Sequence, residues 1–133
     1  MTQRLEGFSV LIVDDDIDIL ESMELAMRAE GAETHTAEDG TDAVSVCTRT
    51  CPDAVILDMM LPKRSGFLVL EEFASMENPP IVVMVTANQG KRHMAYAKSL
   101  GVAAYLVKPV GLDRLINTVS CLLQDQDDRQ EDE

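Results

Sequence analysis

The segment FSVLIVDDD at residues 8–16 decides the fold, because an apolar run rich in β-branched residues ends in three acids. Three later apolar runs also end at a residue that chemistry can use: residues 54–57 at Asp58, residues 81–85 at Thr86, and residues 102–107 at Lys108. Short runs of this kind are typical of buried parallel strands. Ligands of parallel sheets bind outside the carboxyl ends of the strands. The sequence therefore predicts that acids, a hydroxyl and an ammonium meet at one edge of a sheet.

Strand and helix signals alternate five times along the chain. The first helix is expected to begin at Asp16 or Asp18, either of which can cap it, and to end at Gly31. Strand 2, at residues 32–36, alternates small and polar residues, as an edge strand should. The later helices are predicted at about residues 39–50, 67–77, 89–100 and 112–123. Right-handed crossovers then give a (βα)5, flavodoxin-like α/β fold, with a parallel five-stranded sheet of order 2-1-3-4-5 between helical layers.

Composition and charge restrict the classes of function. The 133 residues, 46% hydrophobic and 26% charged, fit one globular domain, which we place at residues 7–123. Eleven basic and 24 acidic residues give a net charge of -13, which argues against direct binding of nucleic acid. Residues 124–133 hold six acids, one base and no apolar residue, so we expect an acidic, disordered tail. No run reaches the roughly 18 apolar residues of a membrane span, and no signal peptide is visible, so we expect a cytoplasmic protein that does not bind membranes.

The cysteines give no sign of a zinc site. Cys47, Cys51 and Cys121 form no CxxC pair, and His35 and His93 are distant from them in sequence. A structural zinc ion needs four such ligands at close spacings. We therefore expect reduced thiols.

Three acids are predicted to share one site, because strands 1 and 3 are neighbours in the expected order. Repulsion among Asp14, Asp15 and Asp58 would be relieved by protonation of one carboxylate or by a hard divalent cation. Oxygen ligands without imidazole or thiolate suit Mg2+ or Mn2+. With the Lys108 ammonium and the Thr86 hydroxyl, such a site would bind a phosphoryl group that a carboxylate attacks in line. No Gly-rich nucleotide loop follows strand 1, so the phosphoryl donor is expected to come from outside.

In these motifs the chain resembles the receiver domain of two-component response regulators, from residue 7 to about residue 123. The matching positions are an acidic pair, a phosphoacceptor, a hydroxyl-small pair, an aromatic switch position and a Lys-Pro pair: Asp14 and Asp15, Asp58, Thr86 and Ala87, Tyr105, and Lys108 and Pro109. The resemblance implies that Asp58 accepts a phosphoryl group from a sensor histidine kinase or a phosphotransfer protein. It implies a switch that acts on an unknown downstream protein, not an enzyme. Self-phosphorylation from small donors and self-dephosphorylation are the only reactions expected.

The resemblance also implies a set of metal ligands. Asp15 and Asp58 would bind Mg2+ directly, Asp14 largely through water, and Met60 through its backbone carbonyl. The peptide bond between Lys108 and Pro109 is expected to be cis, which aims the ammonium at the phosphate.

Two residues of the loop after Asp58 depart from the pattern common in the family. Leu61 stands where Met is common, and Ser65 stands where Asp or Asn is common. Neither is expected to touch the phosphoryl site, and Ser65 can still cap the third helix. Met60 and Asn88 occupy the positions that tune loss of the phosphate in this family, and an apolar Met60 predicts a longer-lived phosphorylated form.

The resemblance further implies an output surface formed by helix 4, strand 5 and helix 5. Thr86 would move toward the phosphate, Tyr105 would turn into the vacated space, and the face would repack for partner binding, with dimerisation on phosphorylation as one outcome. Four basic residues give this face a positive cluster, although a solvated helix face accounts for them equally well: Lys91, Arg92, His93 and Lys98.

Three alternatives fit less well. A haloacid-dehalogenase-like phosphatase would use Asp14 and Asp16, but it needs an acidic pair after Lys108 and gives Asp58 no role. An interaction module that has lost phosphorylation would lack an acid, the hydroxyl or the lysine, and none is missing. A flavodoxin-like FMN binder would need a Ser/Thr-rich loop after strand 1 and aromatic residues around the ring.

Overall fold

A computed structural model describes residues 3–87 and 90–131, with residues 127–131 as backbone alone. Five parallel strands form one sheet in the order β2-β1-β3-β4-β5. The elements alternate along the chain with these bounds: β1 Ser9–Val13, α1 Ile17–Ala29, β2 Glu33–Ala37, α2 Gly40–Thr50, β3 Ala54–Leu57, α3 Gly66–Ala74, β4 Ile81–Thr86, α4 Lys91–Ser99, β5 Ala104–Val107 and α5 Leu112–Glu131. The predicted (βα)5, flavodoxin-like α/β fold and its strand order are confirmed.

The central strands are buried on both faces, which explains their nearly continuous apolar sequences. In β1, Val10 and Ile12 belong to the core that α1 and α5 cover, whereas Leu11 and Val13 belong to the core that α2, α3 and α4 cover. Successive side chains of a strand point to opposite faces, so one run supplies both cores. β2 is only partly buried until Ala37, in agreement with its predicted place at an edge.

Capping side chains fix where the helices beside the functional edge begin. The Asp16 carboxylate accepts hydrogen bonds from the backbone N–H groups of Asp18 and Ile19, so Asp16, not Asp18, caps α1. The Ser65 hydroxyl oxygen accepts from the Leu68 N–H and caps α3, as predicted. These bonds satisfy donors that the first turn of a helix leaves without partners. Most other boundaries lie within two residues of the predicted ones, but α3 ends at Ala74, three residues before its predicted end at about residue 77.

The predicted disordered tail is wrong for the part that the structure describes, because α5 continues to Glu131. No glycine or proline occurs between Leu112 and Glu131, and a residue added to an existing helix gains a hydrogen bond without a new nucleation step. The extension starts from an anchored turn, since Leu123 is buried and the Gln124 amide donates to the Arg4 carbonyl at 3.3 Å. The lack of apolar residues therefore predicts a loss of packing here but not a loss of helix.

The fold also begins before the predicted boundary at residue 7. Leu5 is fully buried in the core beneath α1 and α5, and its N–H donates to the Glu30 carbonyl at 2.8 Å. The Arg4 guanidinium forms an ion pair with the Glu30 carboxylate at 3.0 Å and donates to the Asn117 side chain. This segment ties the end of α1 to α5, and it is too short to show a periodic pattern.

None of the helices within residues 3–87 and 90–131 combines the length and the apolar character that crossing a bilayer requires. The longest helix, α5, has 20 residues, but acids and amides dominate the part after Leu123.

Candidate functional site

The carboxyl edge of the sheet brings the three predicted acids together. Val13 and Leu57 are register partners in β1 and β3, so the residues that follow them, Asp14 and Asp58, emerge side by side. One carboxylate oxygen from each of Asp14, Asp15 and Asp58 lies within 4.8 Å of the other two. Asp14 and Asp58 are 1% and 6% exposed, whereas Asp15 lies at the exposed rim. The prediction that these acids share one site is confirmed.

Lys108 reaches this acidic group from the end of β5. Its Nζ donates to Asp14 Oδ2 at 2.7 Å and to Asp58 Oδ2 at 3.0 Å. The peptide bond between Lys108 and Pro109 is cis, as expected. The Lys108 N–H also donates to the Thr86 carbonyl at 2.8 Å, which fixes the start of this turn against β4.

The charge of Lys108 is stabilised by its partners. Partial burial disfavours the ammonium and by itself would lower the pKa of Lys108. Hydrogen bonds to Asp14 and Asp58, together with their negative charges, outweigh burial and raise the pKa above its ordinary 10.5. Lys108 is therefore protonated at neutral pH and neutralises part of the acidic charge.

Backbone donors orient the two buried carboxylates. Asp14 Oδ1 accepts from the Asp16 N–H at 2.9 Å, and Asp58 Oδ1 accepts from the Met60 N–H at 3.1 Å. In each carboxylate the other oxygen, Oδ2, faces Lys108. The plane of each carboxylate is thus set by its own turn and by the lysine. Three carboxylates and one ammonium leave an excess of two negative charges, and hard oxygen ligands in such a group suit Mg2+.

The other predicted site residues occupy neighbouring positions. Thr86 is fully buried at the end of β4, and the adjacent Ala87 is exposed. Tyr105 is half-buried on β5; burial first, and then the charge of Asp58, raise the pKa of its phenol. The Met60 side chain is exposed beside the site. Asn88, which the sequence associated with loss of the phosphate, lies outside the described residues.

Gly66 is a site residue that the sequence did not single out. A Cβ on Gly66 would lie 2.6 Å from the carbonyl oxygen of Asp58 and 2.5 Å from Cα of Met59, closer than side chains allow. The Gly66 N–H donates to the Met59 carbonyl at 2.8 Å. The start of α3 therefore packs directly against the backbone of Asp58 and Met59. The signal in the sequence was a glycine at the first position of a helix, where other residues are usually preferred.

An apolar groove of about 500 Å³ runs from Lys108 between α1 and the start of α5. Its apolar lining includes Ile19, Met23, Val110 and Leu115. The groove arises where residues from distant parts of the sequence meet, so periodicity alone could not reveal it.

Comparison with known proteins identifies the family. A model of the response regulator receiver domain matches residues 10–120. The transcriptional regulatory protein PrrA of Mycobacterium leprae is 37% identical over 115 residues, which are 86% of this chain and 49% of that protein. This chain spans about half the length of the curated relatives that it matches.

Solved structures give the same result. A CheY-like receiver domain protein from Methanospirillum hungatei JF-1 superposes with a TM-score of 0.88 at 26% identity, covering 94% of this chain and 98% of that one. A chain of the CheX-CheY-BeF3-Mg+2 complex from Borrelia burgdorferi superposes with a TM-score of 0.83 at 26% identity, covering 88% and 90%. This chain therefore belongs to the response regulator receiver domain family. Its acidic group is compatible with Mg2+ and with a phosphorylated aspartate, and the family acts as a phosphoacceptor switch in two-component systems and not as a classical enzyme.

Proposed function

We propose that Asp58 accepts a phosphoryl group from the histidine of a sensor kinase or of a phosphotransfer protein, in a reaction that requires Mg2+. One observation carries the proposal: Asp14, Asp15 and Asp58 converge within 4.8 Å while Lys108 contacts two of them. The excess of two negative charges matches one divalent cation, with Mn2+ as a substitute for Mg2+. An acidic group without this lysine would support metal binding but not the positioning of a phosphoryl group.

Four groups of this chain would hold the metal: the carboxylates of Asp14, Asp15 and Asp58, and the backbone carbonyl of Met60. When bound, Mg2+ neutralises charge on the phosphoryl oxygens. The Asp58 carboxylate is kept in one orientation by the Met60 N–H and by Lys108. One of its oxygens forms the bond to phosphorus while the bond from phosphorus to the donor nitrogen breaks, and that nitrogen keeps the electron pair.

Phosphorylation changes the charges that Lys108 faces. Asp58 becomes an acyl phosphate, so the negative charge moves outward onto phosphoryl oxygens, and Lys108 follows it. Thr86 donates a hydrogen bond to the same oxygens and vacates space for Tyr105. After burial, the charge of Asp58 is the second cause that raises the pKa of the Tyr105 phenol. The result is a shift of population between two packed states.

The output surface comprises α4, β5 and α5. Its exposed basic residues give a locally positive face on an acidic protein, suited to a downstream protein partner or to a second phosphorylated copy: Lys91, Arg92, His93 and Lys98. We expect the donor protein to dock along the apolar groove beside Lys108, because Lys108 lines that groove and contacts Asp58 at 3.0 Å. The free thiols of the three cysteines suit the cytoplasm, where we place the protein.

Two findings beyond this chain support the proposal. A structural relative was solved in a CheX-CheY-BeF3-Mg+2 complex, and a fluoride of beryllium imitates a phosphoryl group in shape and charge. The relatives of about twice this length are transcriptional regulators. Regulation of transcription through a further domain is therefore one route by which this receiver could act.

Incubation with acetyl phosphate and Mg2+, followed by borohydride trapping and mass spectrometry, tests the proposal. We expect one phosphoryl group per chain, located on Asp58 and lost when Mg2+ is chelated. Asp58→Asn should abolish the uptake. Asp53→Asn is a matched control, because Asp53 precedes the same strand at its opposite end and donates its backbone N–H to Ser9. Equal uptake by Asp58→Asn and wild type would reject the proposal.

A further inference from the structure

Helix α4 is weakly secured at its first turns. Gly90 precedes it and offers no side chain to cap it, and its first turn carries Lys91, Arg92 and His93 with no acid. Cations near the amino end of a helix oppose its dipole. Among the nine residues of α4, all of which the structure describes, Ala97 alone is fully buried. A helix this short is not stable without tertiary contacts.

Contacts with α3 supply that support. The Phe67 ring stacks on the His93 ring with centroids 5.8 Å apart and meets the Tyr96 ring edge-on at 5.0 Å. One turn further along α3, Glu71 Oε1 accepts a hydrogen bond of 2.6 Å from the Tyr96 hydroxyl. We call Phe67, Glu71, His93 and Tyr96 the α3–α4 clasp. Its aromatic contacts and its hydrogen bond all involve the first two turns of α4.

The same clasp is linked to the phosphoacceptor through the start of α3. Gly66 precedes Phe67 and lies against the backbone of Asp58 and Met59 so closely that no Cβ fits. The Gly66 N–H bonds to the Met59 carbonyl, and the Met60 N–H bonds to the Asp58 carboxylate. These contacts connect the Asp58 carboxylate to the turn on which α3 begins, and Phe67 directly follows Gly66 in that turn.

The geometry points to a clasp whose opening releases the first turns of α4 and is energetically coupled to the phosphoryl group on Asp58. The inference rests on the proposed function, and it adds a route distinct from Thr86 and Tyr105. Because such coupling is reciprocal, a group on Asp58 that loosens α4 binds more tightly once the clasp is broken. Closure of the clasp therefore keeps the unphosphorylated protein in one state.

Adjacent glutamates on α3 provide a matched pair of variants. The Glu71 carboxylate accepts a hydrogen bond from Tyr96 of α4, whereas the Glu72 carboxylate forms an ion pair with Arg64 at 3.4 Å. We expect Glu71→Ala and Tyr96→Phe to raise hydrogen exchange of the α4 amides about two- to tenfold, the effect of one lost hydrogen bond. Glu72→Ala should leave that exchange unchanged, although it removes the same charge. Equal exchange in the two glutamate variants would overturn the inference.

A binding measurement tests the coupling to Asp58. Beryllofluoride with Mg2+ should bind Glu71→Ala more tightly than Glu72→Ala, by a factor up to the increase in α4 exchange. Faster exchange without a gain in affinity would refute the coupling. If the wild-type protein does not bind beryllofluoride, the proposed function is rejected, and the coupling of the clasp to Asp58 is rejected with it. The hydrogen exchange of α4 in the two glutamate variants then still shows whether the clasp stabilises α4.

Discussion

The two edges of the sheet contain similar charged residues but pair them differently. At the amino edge, Asp53 accepts the Ser9 N–H at 2.8 Å, and Glu30 forms an ion pair with Arg4, so these acids each have a donor of their own. At the carboxyl edge, Asp14 and Asp58 share the ammonium of Lys108, and Asp15 lies in the same acidic group. The acids of the amino edge are spread among separate donors, whereas the carboxyl edge gathers three carboxylates around one ammonium, with an excess of two negative charges. The difference indicates that clustered, unbalanced charge, more than the presence of charged residues, distinguishes the edge where we propose that a cation binds and Asp58 is phosphorylated.

Removing the Lys108 ammonium, which Asp14 and Asp58 share, should give the largest effect, a loss of stability. In Lys108→Met the buried carboxylates lose the cation that contacts two of them, and we expect a loss of about 2–4 kcal/mol in the free energy of unfolding without Mg2+. Urea denaturation measures this loss, and Mg2+ should recover more of it in the variant than in wild type. Lys63→Met is the control, since Lys63 forms an exposed pair with Asp39 at 3.4 Å and such pairs contribute about 0–1 kcal/mol. Equal losses in the two variants would contradict the comparison.

The cysteines near the amino edge should differ about 100-fold in reactivity. Burial, and secondly the nearby Cys51, raise the pKa of Cys47 to about 11. At pH 8 a thiol with that pKa is about one-thousandth ionised, so its alkylation should be about 100-fold or more slower than that of an exposed thiol. Iodoacetamide labelling with peptide mapping should modify Cys51 and Cys121 first, and all three in urea. Early labelling of Cys47 in the native protein would show that this edge opens readily.

Substitution of two glycines near the carboxyl edge tests whether close packing against the backbone, and not only a position near the site, determines the effect on stability. Gly66→Ala places a Cβ against the backbone of Asp58 and Met59 and should cost about 1–3 kcal/mol of stability. In Gly111→Ala the new Cβ meets nothing within 4 Å, so stability should be unchanged or slightly higher. Thermal unfolding compares them. Similar melting temperatures would mean that the backbone around Asp58 yields easily.

The smallest effect is expected at the ion pair between Arg4 and Glu30 at the amino edge, as a change in the pKa of Glu30. A side-chain hydrogen bond from Arg4, and then its backbone N–H, lower the pKa of Glu30 below 4.5. A lowered carboxyl pKa adds stability above pH 4.5 that is lost as the pH falls through the folded value. In Arg4→Gln, carbon-13 NMR should show the pKa of Glu30 rising part of the way to 4.5, because the backbone donor remains. The control Arg114→Gln should leave the pKa of Glu30 unchanged. An equal rise of that pKa in Arg114→Gln would show that the loss of one positive charge, and not the loss of the Arg4 contact, is the cause.

The central part of the site could be predicted because it depends on where strands end. Parallel strands place the residues after them at one edge, so the runs before Asp14, Asp58 and Lys108 were sufficient to predict their meeting. The order of the sheet then made Asp14 and Asp58 neighbours. These inferences use hydrophobic periodicity and sheet topology, both of which can be inferred from the order of residues in the sequence.

The remaining features depend on contacts between distant segments and leave no periodic signal. Tyr96 and Glu71 are 25 residues apart, and Arg4 and Asn117 are 113 residues apart. The helical course of residues 124–131 was missed for another reason. Charge and low hydrophobicity predict that a segment does not pack, but a helix already formed can continue into water.

The burial of Leu5 has a practical consequence for anyone who shortens this protein. A polypeptide trimmed to residues 10–120, the limits of the family match, would lack a side chain that is fully buried. Emptying a leucine position in a core costs about 2–5 kcal/mol, a large part of the stability of a small domain. A weak response from such a shortened chain would report damage to folding, and it should not be interpreted as a defect in signalling.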